Sequence, residues 1–367
     1  GFAMELSAIL EKALDRPRAL SLEELQLLIE ARAPQSVKEI RSAAYQLKNR
    51  YIGKNVSIRG IIELGNICSK DCNYCGIRSS NKKIERYSIT AEEVEKLAKL
   101  NAELGYASLV LQSGEIEGEA HTAFIEECLK RIAPLNLGVT LSLGEQTEEV
   151  YKRWKDAGAS RYLLRIETSN KELYKTLHPP THSWERRVEC LRALGRCGYQ
   201  VGTGVMSALP GQTTKDLAQD IIFFGEIDAD MIGMGPYIPH PDTPLGKIAP
   251  PIDKAQRLHL GLNMIAATRL YLHDVNIAAT TALQALAEDG REQGILAGAN
   301  VIMPNITFSN LRRNYQLYQG KPAQDENDKL TRIALEEGLA KIGEKIIYGK
   351  RGDSLHYFKK QNSGLHP

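Results

Sequence analysis

The sequence has no apolar run near the roughly 20 residues that a membrane-spanning helix requires, and its start shows no signal-peptide pattern. It also has no excess of either charge, because 47 Lys and Arg stand against 45 Asp and Glu, a formal net charge of +2. A basic surface for nucleic acid and an acidic tail are therefore not indicated. From these absences we expect a cytoplasmic protein that binds neither a membrane nor nucleic acid.

Cysteine is also scarce. Six cysteines in 367 residues are too few for a disulfide framework, yet three of them fall within eight residues. Hydrophobic residues make up 43% and charged residues 25%, which is ordinary for a globular protein and excludes a disordered or collagenous chain. The length allows either one large α/β barrel or two domains.

No repeat with a period of 20–50 residues is visible, but from Asn55 onward short β-branched runs alternate with amphipathic helical windows. Strands are predicted over 56–63, 108–112, 137–142, 160–166, 199–205, 229–233, 275–280 and 299–303. Helices are predicted between them, including a helical stretch that ends at Cys197 and a helix over 283–295. Eight parallel strands joined by helices over about 250 residues predict a complete (β/α)8 barrel, with a doubly wound open sheet as the alternative.

The segments on either side of the predicted barrel have helical patterns. Ser21 followed by Glu24 predicts a capping box for a helix over 22–31, and 35–51 has helical spacing as well. A last helix is expected over 329–347. We therefore expect three parts: an N-terminal helical extension over 4–54, the barrel over 55–310, and a C-terminal helical tail over 311–367 that packs outside the barrel.

The first functional signal is the group of three cysteines. Functional residues of such barrels lie just after the strands, and Cys68, Cys72 and Cys75 form a C-x3-C-x2-C loop after the first predicted strand. Three thiolates can hold three irons of a [4Fe-4S] cluster and leave the fourth iron open to another ligand. A structural zinc site would need a fourth ligand, and no Cys or His follows at finger spacing. Packing as core thiols is the other alternative.

This spacing, with the aromatic Tyr74 before the third cysteine, resembles the motif of the radical S-adenosylmethionine (SAM) superfamily. The resemblance implies that the open iron chelates the amino and carboxylate groups of SAM. It also implies that an electron from the cluster cleaves the S–C5′ bond and yields a 5′-deoxyadenosyl radical. The implied cofactors are one [4Fe-4S] cluster and SAM, and the implied partner is a one-electron reductant such as flavodoxin or ferredoxin.

Further segments at strand ends resemble the HydE family of [FeFe]-hydrogenase maturases, with biotin synthase and methylornithine synthase as more distant relatives. These segments are 111–115, 140–145, 162–168, 209–213, 235–244, 279–281 and 300–305. The resemblance implies a small anionic, sulfur-containing substrate, derived from cysteine and bound to iron, on the way to the diiron subcluster. Other hydrogenase maturases are then further partners.

The resemblance also implies roles for single residues. Glu167 is expected to contact the amino-acid moiety of SAM and Arg187 its carboxylate, whereas an ordinary salt bridge with Arg165 or Arg187 is the alternative for Glu167. The other residues expected to bind the cofactors are Tyr74, Gln112, Ser113, Gly114, Glu115, Ser142 and Met303. The residues expected to bind the substrate are Thr140, Arg165, Thr280 and Thr281.

Two departures from the family pattern stand out. Ile166 occupies a position where HydE relatives often carry histidine, and no cysteine lies between Gln319 and Leu335, where many relatives have extra ones. We therefore expect a single cluster. Two alternatives stay open at this point: another radical SAM reaction, such as sulfur insertion or rearrangement of an amino-acid skeleton, and an iron–sulfur carrier without catalysis.

Overall fold

The computed structural model describes residues 2–319 and 327–363. Its strands are β1 (Asn55–Gly65), β2 (Ser108–Ser113), β3 (Gly138–Ser142), β4 (Arg161–Leu163), β5 (Gln200–Thr203), β6 (Met206–Ser207), β7 (Met231–Pro236), β8 (Asn276–Ala279), β9 (Val301–Ile302) and β10 (Lys345–Ile347). Its α-helices are α1 (Phe2–Asp15), α2 (Leu22–Glu30), α3 (Pro34–Tyr51), α4 (Ala91–Glu103), α5 (Glu119–Ile132), α6 (Glu148–Asp156), α7 (Lys171–Leu177), α8 (Trp184–Arg196), α9 (Thr214–Glu226), α10 (Lys254–Leu272), α11 (Thr281–Leu286), α12 (Gly290–Leu296), α13 (Ser309–Arg312), α14 (Asp328–Lys341) and α15 (Leu355–Asn362).

Eight of the strands form a closed parallel barrel. Their order is β1-β2-β3-β4-β5-β7-β8-β9, and β9 pairs with β1 through Ser57–Val301 and Ile58–Ile302 to close the ring. Helices connect the strands, so the predicted (β/α)8 barrel is confirmed. Two short strands lie outside this order: β6 pairs with β7, and β10 adds a parallel strand to β1 from the C-terminal part of the chain.

The core lies between the strands and the surrounding helices. Strands such as β1 are buried along nearly their whole length, as parallel strands covered on both faces are. Helix α4, for example, turns an apolar stripe inward and buries Val94, Leu97 and Ala98 at helical spacing. Among the described residues, no helix combines the length and apolar character needed to cross a bilayer.

The N-terminal helices pack against the outer helices of the barrel. The predicted capping box of α2 is confirmed, because Ser21 accepts from the amide of Glu24 at 3.1 Å and Glu24 accepts from the amide of Ser21. Helix α2 packs against α9, and α3 packs against α10. A fully buried ion pair of 2.6 Å joins Lys48 of α3 to Glu344, just before β10.

The segment around Gly352 and Asp353, in the C-terminal part of the chain, closes the N-terminal end of the barrel. The carbonyl of Gly352 accepts from Asn276 at 2.9 Å, and the carboxylate of Asp353 accepts from Arg161 at 3.1 Å and from Gln200 at 2.9 Å. Asn276, Arg161 and Gln200 are the first residues of β8, β4 and β5. The barrel interior therefore opens toward the C-terminal ends of the strands.

Three predicted elements have different boundaries in the structure. The helix predicted over 283–295 is interrupted between α11 and α12, where Gly290 approaches the carbonyl of Leu283 so closely that a Cβ would lie 2.0 Å from it. The helix predicted over 329–347 ends with α14, because Gly343 adopts a φ of +76° and β10 follows. The helical stretch predicted up to Cys197 is split into α7 and α8 by two consecutive prolines.

Candidate functional site

A cavity of about 240 Å³ opens at the C-terminal ends of the barrel strands. The cysteine loop (residues 68–76), the ends of β2, β3 and β7, the chain after β4, and residues after β9 all contribute to its wall. The structure therefore brings together most of the residues predicted for the site: Cys68, Cys72, Tyr74, Cys75, Gln112, Ser113, Gly114, Glu115, Ser142, Arg165, Glu167 and Arg187.

Four predicted residues do not line this cavity. Thr140 lies deeper in the barrel, where its hydroxyl accepts from Arg161 at 2.9 Å. Thr280 is the N-cap residue of α11 and donates to the carbonyl of Met234 at 2.9 Å. Thr281 is 2.8 Å from the hydroxyl of Tyr318, which does line the cavity, and Met303 is half-buried outside the lining.

The cysteine loop is held by a buried frame of hydrogen bonds. Asn66, directly after β1, donates to the carbonyls of Glu85 and Asn314, each at 2.8 Å. The guanidinium of Arg86 donates to four carbonyls at 2.5–3.0 Å, those of Asn66, Ile77, Arg78 and Asn81. One side chain thus satisfies carbonyls that no regular element pairs, and it gives the loop a defined shape.

The three cysteines all line the cavity, and the turn after β2 packs against the first of them. Gly114 is required there, because a Cβ at this position would lie 2.1 Å from the carbonyl of Ile67 and 2.8 Å from Cβ of Cys68. The next amide, that of Glu115, donates to the sulfur of Cys68 at 3.4 Å. Burial raises the pKa of the Cys75 thiol to about 12, and burial together with the charge of Cys75 raises the pKa of Cys72. Such thiols are neutral unless a cation binds them.

One wall of the cavity carries a network of opposite charges. The guanidinium of Arg187, from α8, bridges Glu115 and Glu145, with Nη1 at 3.1 Å from Oε2 of Glu145. Lys70 of the cysteine loop is 3.2 Å from the other oxygen of Glu145, whose side chain is only 1% exposed. Burial alone would raise the pKa of Glu145, but Arg187 and Lys70 lower it overall. The carboxylate is therefore ionised and fixes both cations.

Arg165 and Glu167 lie after β4, beside Arg187, whose Nε donates to the carbonyl of Arg165 at 2.9 Å. The structure shows the salt bridge given as the alternative for Glu167, because Nε of Arg165 is 3.0 Å from Oε1 of Glu167. Glu167 adopts a φ of +65°, a left-handed conformation that is uncommon for any residue except glycine. Its amide donates to Gly204 at 3.0 Å, which holds the backbone in this conformation. Backbone strain of this kind concentrates at functional sites.

Several residues of the site were not identified from the sequence. Glu145 lies behind the wall, where it binds the lining residues Arg187 and Lys70, and its position just after β3 was the available signal for it. Lys70 lies inside the cysteine loop, where its charge could have been read as a partner for buried carboxylates. Tyr315 and Tyr318 follow the last strand in a segment without periodicity, and no sequence signal places them in the cavity.

The sequence is similar to those of known proteins. The family model described as the Radical SAM superfamily matches residues 62–224. The chain is 47% identical over 285 residues to the [FeFe] hydrogenase maturase subunit HydE of Thermotoga maritima, covering 78% of this chain and 80% of that protein. It is 28% identical over 335 residues to biotin synthase 1 of Corynebacterium diphtheriae, covering 88% of this chain and 89% of that protein.

Solved structures share the fold. The X-ray structure of the FeFe-hydrogenase maturase HydG from Carboxydothermus hydrogenoformans matches with a TM-score of 0.79 at 20% identity, covering 95% of this chain and 80% of that chain. At 20% identity this similarity supports the fold alone and not a shared function.

Proposed function

The chain is a radical SAM enzyme that belongs to the HydE family, and from that premise we propose the reaction that its cavity supports. The enzyme cleaves SAM reductively to a 5′-deoxyadenosyl radical and directs this radical at the sulfur of a small cysteine-derived anion bound to iron. The product serves the diiron subcluster of [FeFe]-hydrogenase. The observation that carries the proposal is a single cavity that holds three thiols, the Arg165–Glu167 pair and Arg187.

The three thiols fit one [4Fe-4S] cluster. They share one end of the cavity, and Gly114 removes the side chain that would otherwise press on Cys68. The amide of Glu115 gives the sulfur of Cys68 a hydrogen bond of the kind that tunes such clusters. Three protein ligands leave one iron for SAM, and the bound cofactors supply the electron and the radical.

The charged side chains of the walls fit the amino-acid part of SAM. We assign the ammonium of SAM to Glu167 and its carboxylate to Arg187, because each side chain reaches the cavity and carries the complementary charge. Glu145 and Glu115 keep the guanidinium of Arg187 fixed before the ligand binds. Gln112, Ser113 and Ser142 supply neutral polar groups on the same wall.

The substrate anion is assigned to Arg165. When SAM occupies Glu167, the guanidinium of Arg165 loses that partner and can pair bidentately with a carboxylate. It keeps a hydrogen bond of 3.0 Å to the carbonyl of Val205, which holds it at the cavity wall. Thr281 reaches the same region through the hydroxyl of Tyr318, and we propose that Thr280 and Thr281 complete this end.

The apolar part of the cavity lining favours the exclusion of water when cofactors and substrate fill the site. Apolar side chains, among them Leu163, Met206 and Ile238, form much of its surface. The barrel is closed at its other end by the segment around Asp353. A dry enclosed site prevents a reactive radical from being quenched by solvent.

Coupling of SAM cleavage to substrate tests the proposal. Reduced, reconstituted protein is incubated with SAM and with cysteine-derived thioethers or thiazolidine carboxylates, and 5′-deoxyadenosine is quantified. We expect these compounds to raise its formation above the uncoupled background, and Arg165→Met to abolish the increase while the background persists. Arg192→Met, on the exposed face of α8, is the control. If an unrelated amino acid instead couples tightly to SAM cleavage, the result favours the alternative of another radical SAM reaction, such as rearrangement of an amino-acid skeleton.

A further inference from the structure

The end of α7 and the residues that follow it toward α8 hold the cysteine loop from one side. This clamp segment (residues 176–182) accepts two hydrogen bonds from Asn73, one from its amide at 2.9 Å and one from its side chain at 3.2 Å. His178 and His182 add side-chain contacts: Nε2 of His178 is 3.0 Å from the hydroxyl of Tyr74, and Nε2 of His182 accepts from the amide of Asp71 at 3.3 Å. Both histidines therefore flank Cys72.

The side-chain atoms of Cys72, His178 and His182 form a compact set of metal ligands. One atom from each residue lies within 4.8 Å of the other two. Zinc binds Cys sulfur at about 2.3 Å and His nitrogen at about 2.0 Å, so a tetrahedral ion needs ligand atoms about 3.5 Å apart. Rotations that move these atoms by about 1 Å bring them to that spacing. No one stretch of sequence shows this set, because the histidines lie far from Cys72 along the chain.

His178 is oriented as a metal ligand. Its Nδ1 is 2.8 Å from the carbonyl of Tyr174 and donates to it, so Nε2 is unprotonated, and its electron pair accepts from the hydroxyl of Tyr74, a hydrogen bond that a metal ion would replace. Metal-binding histidines usually donate their second ring nitrogen to a backbone carbonyl in this way. The ring is buried and stacks on Tyr174 with a centroid distance of 3.9 Å, which fixes its plane. The ring of His182 follows at 5.5 Å from that of His178.

We propose that the cluster-free protein binds one Zn²⁺ ion through Cys72, His178 and His182, and that this ion competes with the iron–sulfur cluster for the sulfur of Cys72. One thiolate and two imidazoles form a donor set that suits zinc, with a fourth position for water. Binding releases the thiol proton of Cys72. Such sites bind Zn²⁺ more tightly than Fe²⁺, so zinc delays cluster assembly.

Cobalt binding to the full-length, cluster-free chain tests the site directly. Co²⁺ is titrated anaerobically, and its thiolate charge-transfer absorption is followed, with Zn²⁺ added afterwards to displace it. We expect one equivalent of Co²⁺, loss of the absorption in Cys72→Ala, and affinity at least about tenfold lower in His182→Ala and His178→Gln. Cys68→Ala and Cys75→Ala are the matched controls and should keep the wild-type affinity. The converse pattern, dependence on Cys68 and Cys75 without dependence on the histidines, overturns the proposal.

Cluster assembly tests the competition. Protein loaded with Zn²⁺ is supplied with Fe²⁺ and sulfide, and the absorbance of the cluster is followed. We expect slower assembly in the wild-type protein and normal assembly in His182→Ala, whereas equal inhibition of both overturns the competition. The competition rests on the proposed function, because it requires Cys72 to hold the cluster. Cobalt binding does not involve SAM cleavage, so a failed zinc site and a failed radical SAM assignment give different results.

Discussion

Oε1 of Glu167 lies 3.0 Å from Nε of Arg165, two residues before it, at the wall of the cavity. The pair places an anion and a cation side by side at the cavity wall. Both side chains line the cavity, so each can exchange its partner for a ligand of opposite charge. This exchange underlies the assignment of SAM to Glu167 and of the substrate to Arg165.

Replacing Glu167 tests whether its carboxylate binds SAM. Glu167→Gln should weaken SAM binding about 10- to 100-fold, because one charge-assisted hydrogen bond is lost, while the reconstituted cluster keeps its absorbance. SAM affinity is measured by equilibrium binding to the reconstituted protein. Glu172→Gln, an exposed carboxylate on α7, is the control and should bind SAM normally. Unchanged affinity in Glu167→Gln would give Glu167 a purely structural role.

The cysteine triad gives a sharper prediction. Replacing Cys68, Cys72 or Cys75 by Ala should remove the cluster absorbance and 5′-deoxyadenosine formation together, because one iron loses its protein ligand. Absorption spectra and product analysis after anaerobic reconstitution measure both. Cys197→Ala, at the end of α8, should retain both. Full activity of the Cys72→Ala variant would contradict the assignment of the three cysteines as cluster ligands.

The barrel and the cysteine loop could be predicted because their signals are local. Alternating β-branched and amphipathic segments place β2 within one residue of the predicted 108–112, and the spacing of the cysteines is visible in a single loop. Strand-end positions also identify most of the cavity wall, since parallel strands of a barrel end on one side. The division of the chain into an N-terminal extension (4–54), a barrel (55–310) and a C-terminal tail (311–367) stays a prediction.

What the sequence did not show depends on contacts between distant segments. Arg86 fixes the cysteine loop through carbonyl groups, and carbonyls carry no side-chain signal. His178 and His182 approach Cys72 only because α7 folds beside the loop. Gly352 and Asp353 close the barrel from the far end of the chain.

The number of clusters follows from the cysteines outside the triad. Residues 319–367 contain none, and Cys128 and Cys190 lie within α5 and α8. Because Cys128 lies on a different helix from Cys190 and Cys197, we expect that these three cysteines do not form a second triad. We expect about four irons per chain after anaerobic reconstitution, falling to background when the triad is replaced. About eight irons, half of them surviving loss of the triad, would reveal a second ligand set.

Closure of the barrel by the C-terminal segment should contribute to stability. Arg161 is 1% exposed and Asp353 is its carboxylate partner at 3.1 Å, so Asp353→Asn leaves a buried guanidinium without a counter-charge. We expect a loss of about 2–3 kcal/mol in the free energy of unfolding, somewhat below the cost of breaking a fully buried pair. Urea unfolding measures it. Glu172→Gln breaks an exposed pair with Lys175 and should cost almost nothing, and an equal cost for both would contradict the prediction.

His356 of α15 should make stability depend on pH. It lies 2.6 Å from Asp228 and 3.1 Å from Asp274. Burial alone would lower its pKa, but the hydrogen bonds that its ring donates to both carboxylates raise the pKa from 6.5 to about 9. Because the folded-state pKa is the higher one, this stabilisation is complete below pH 6.5 and is lost as the pH rises through 9. His356→Gln should therefore be less stable than the wild type by up to about 3 kcal/mol near pH 6, and the difference should shrink toward pH 10 in urea unfolding. A difference that is the same at both pH values would show that the contacts of His356 do not depend on its charge.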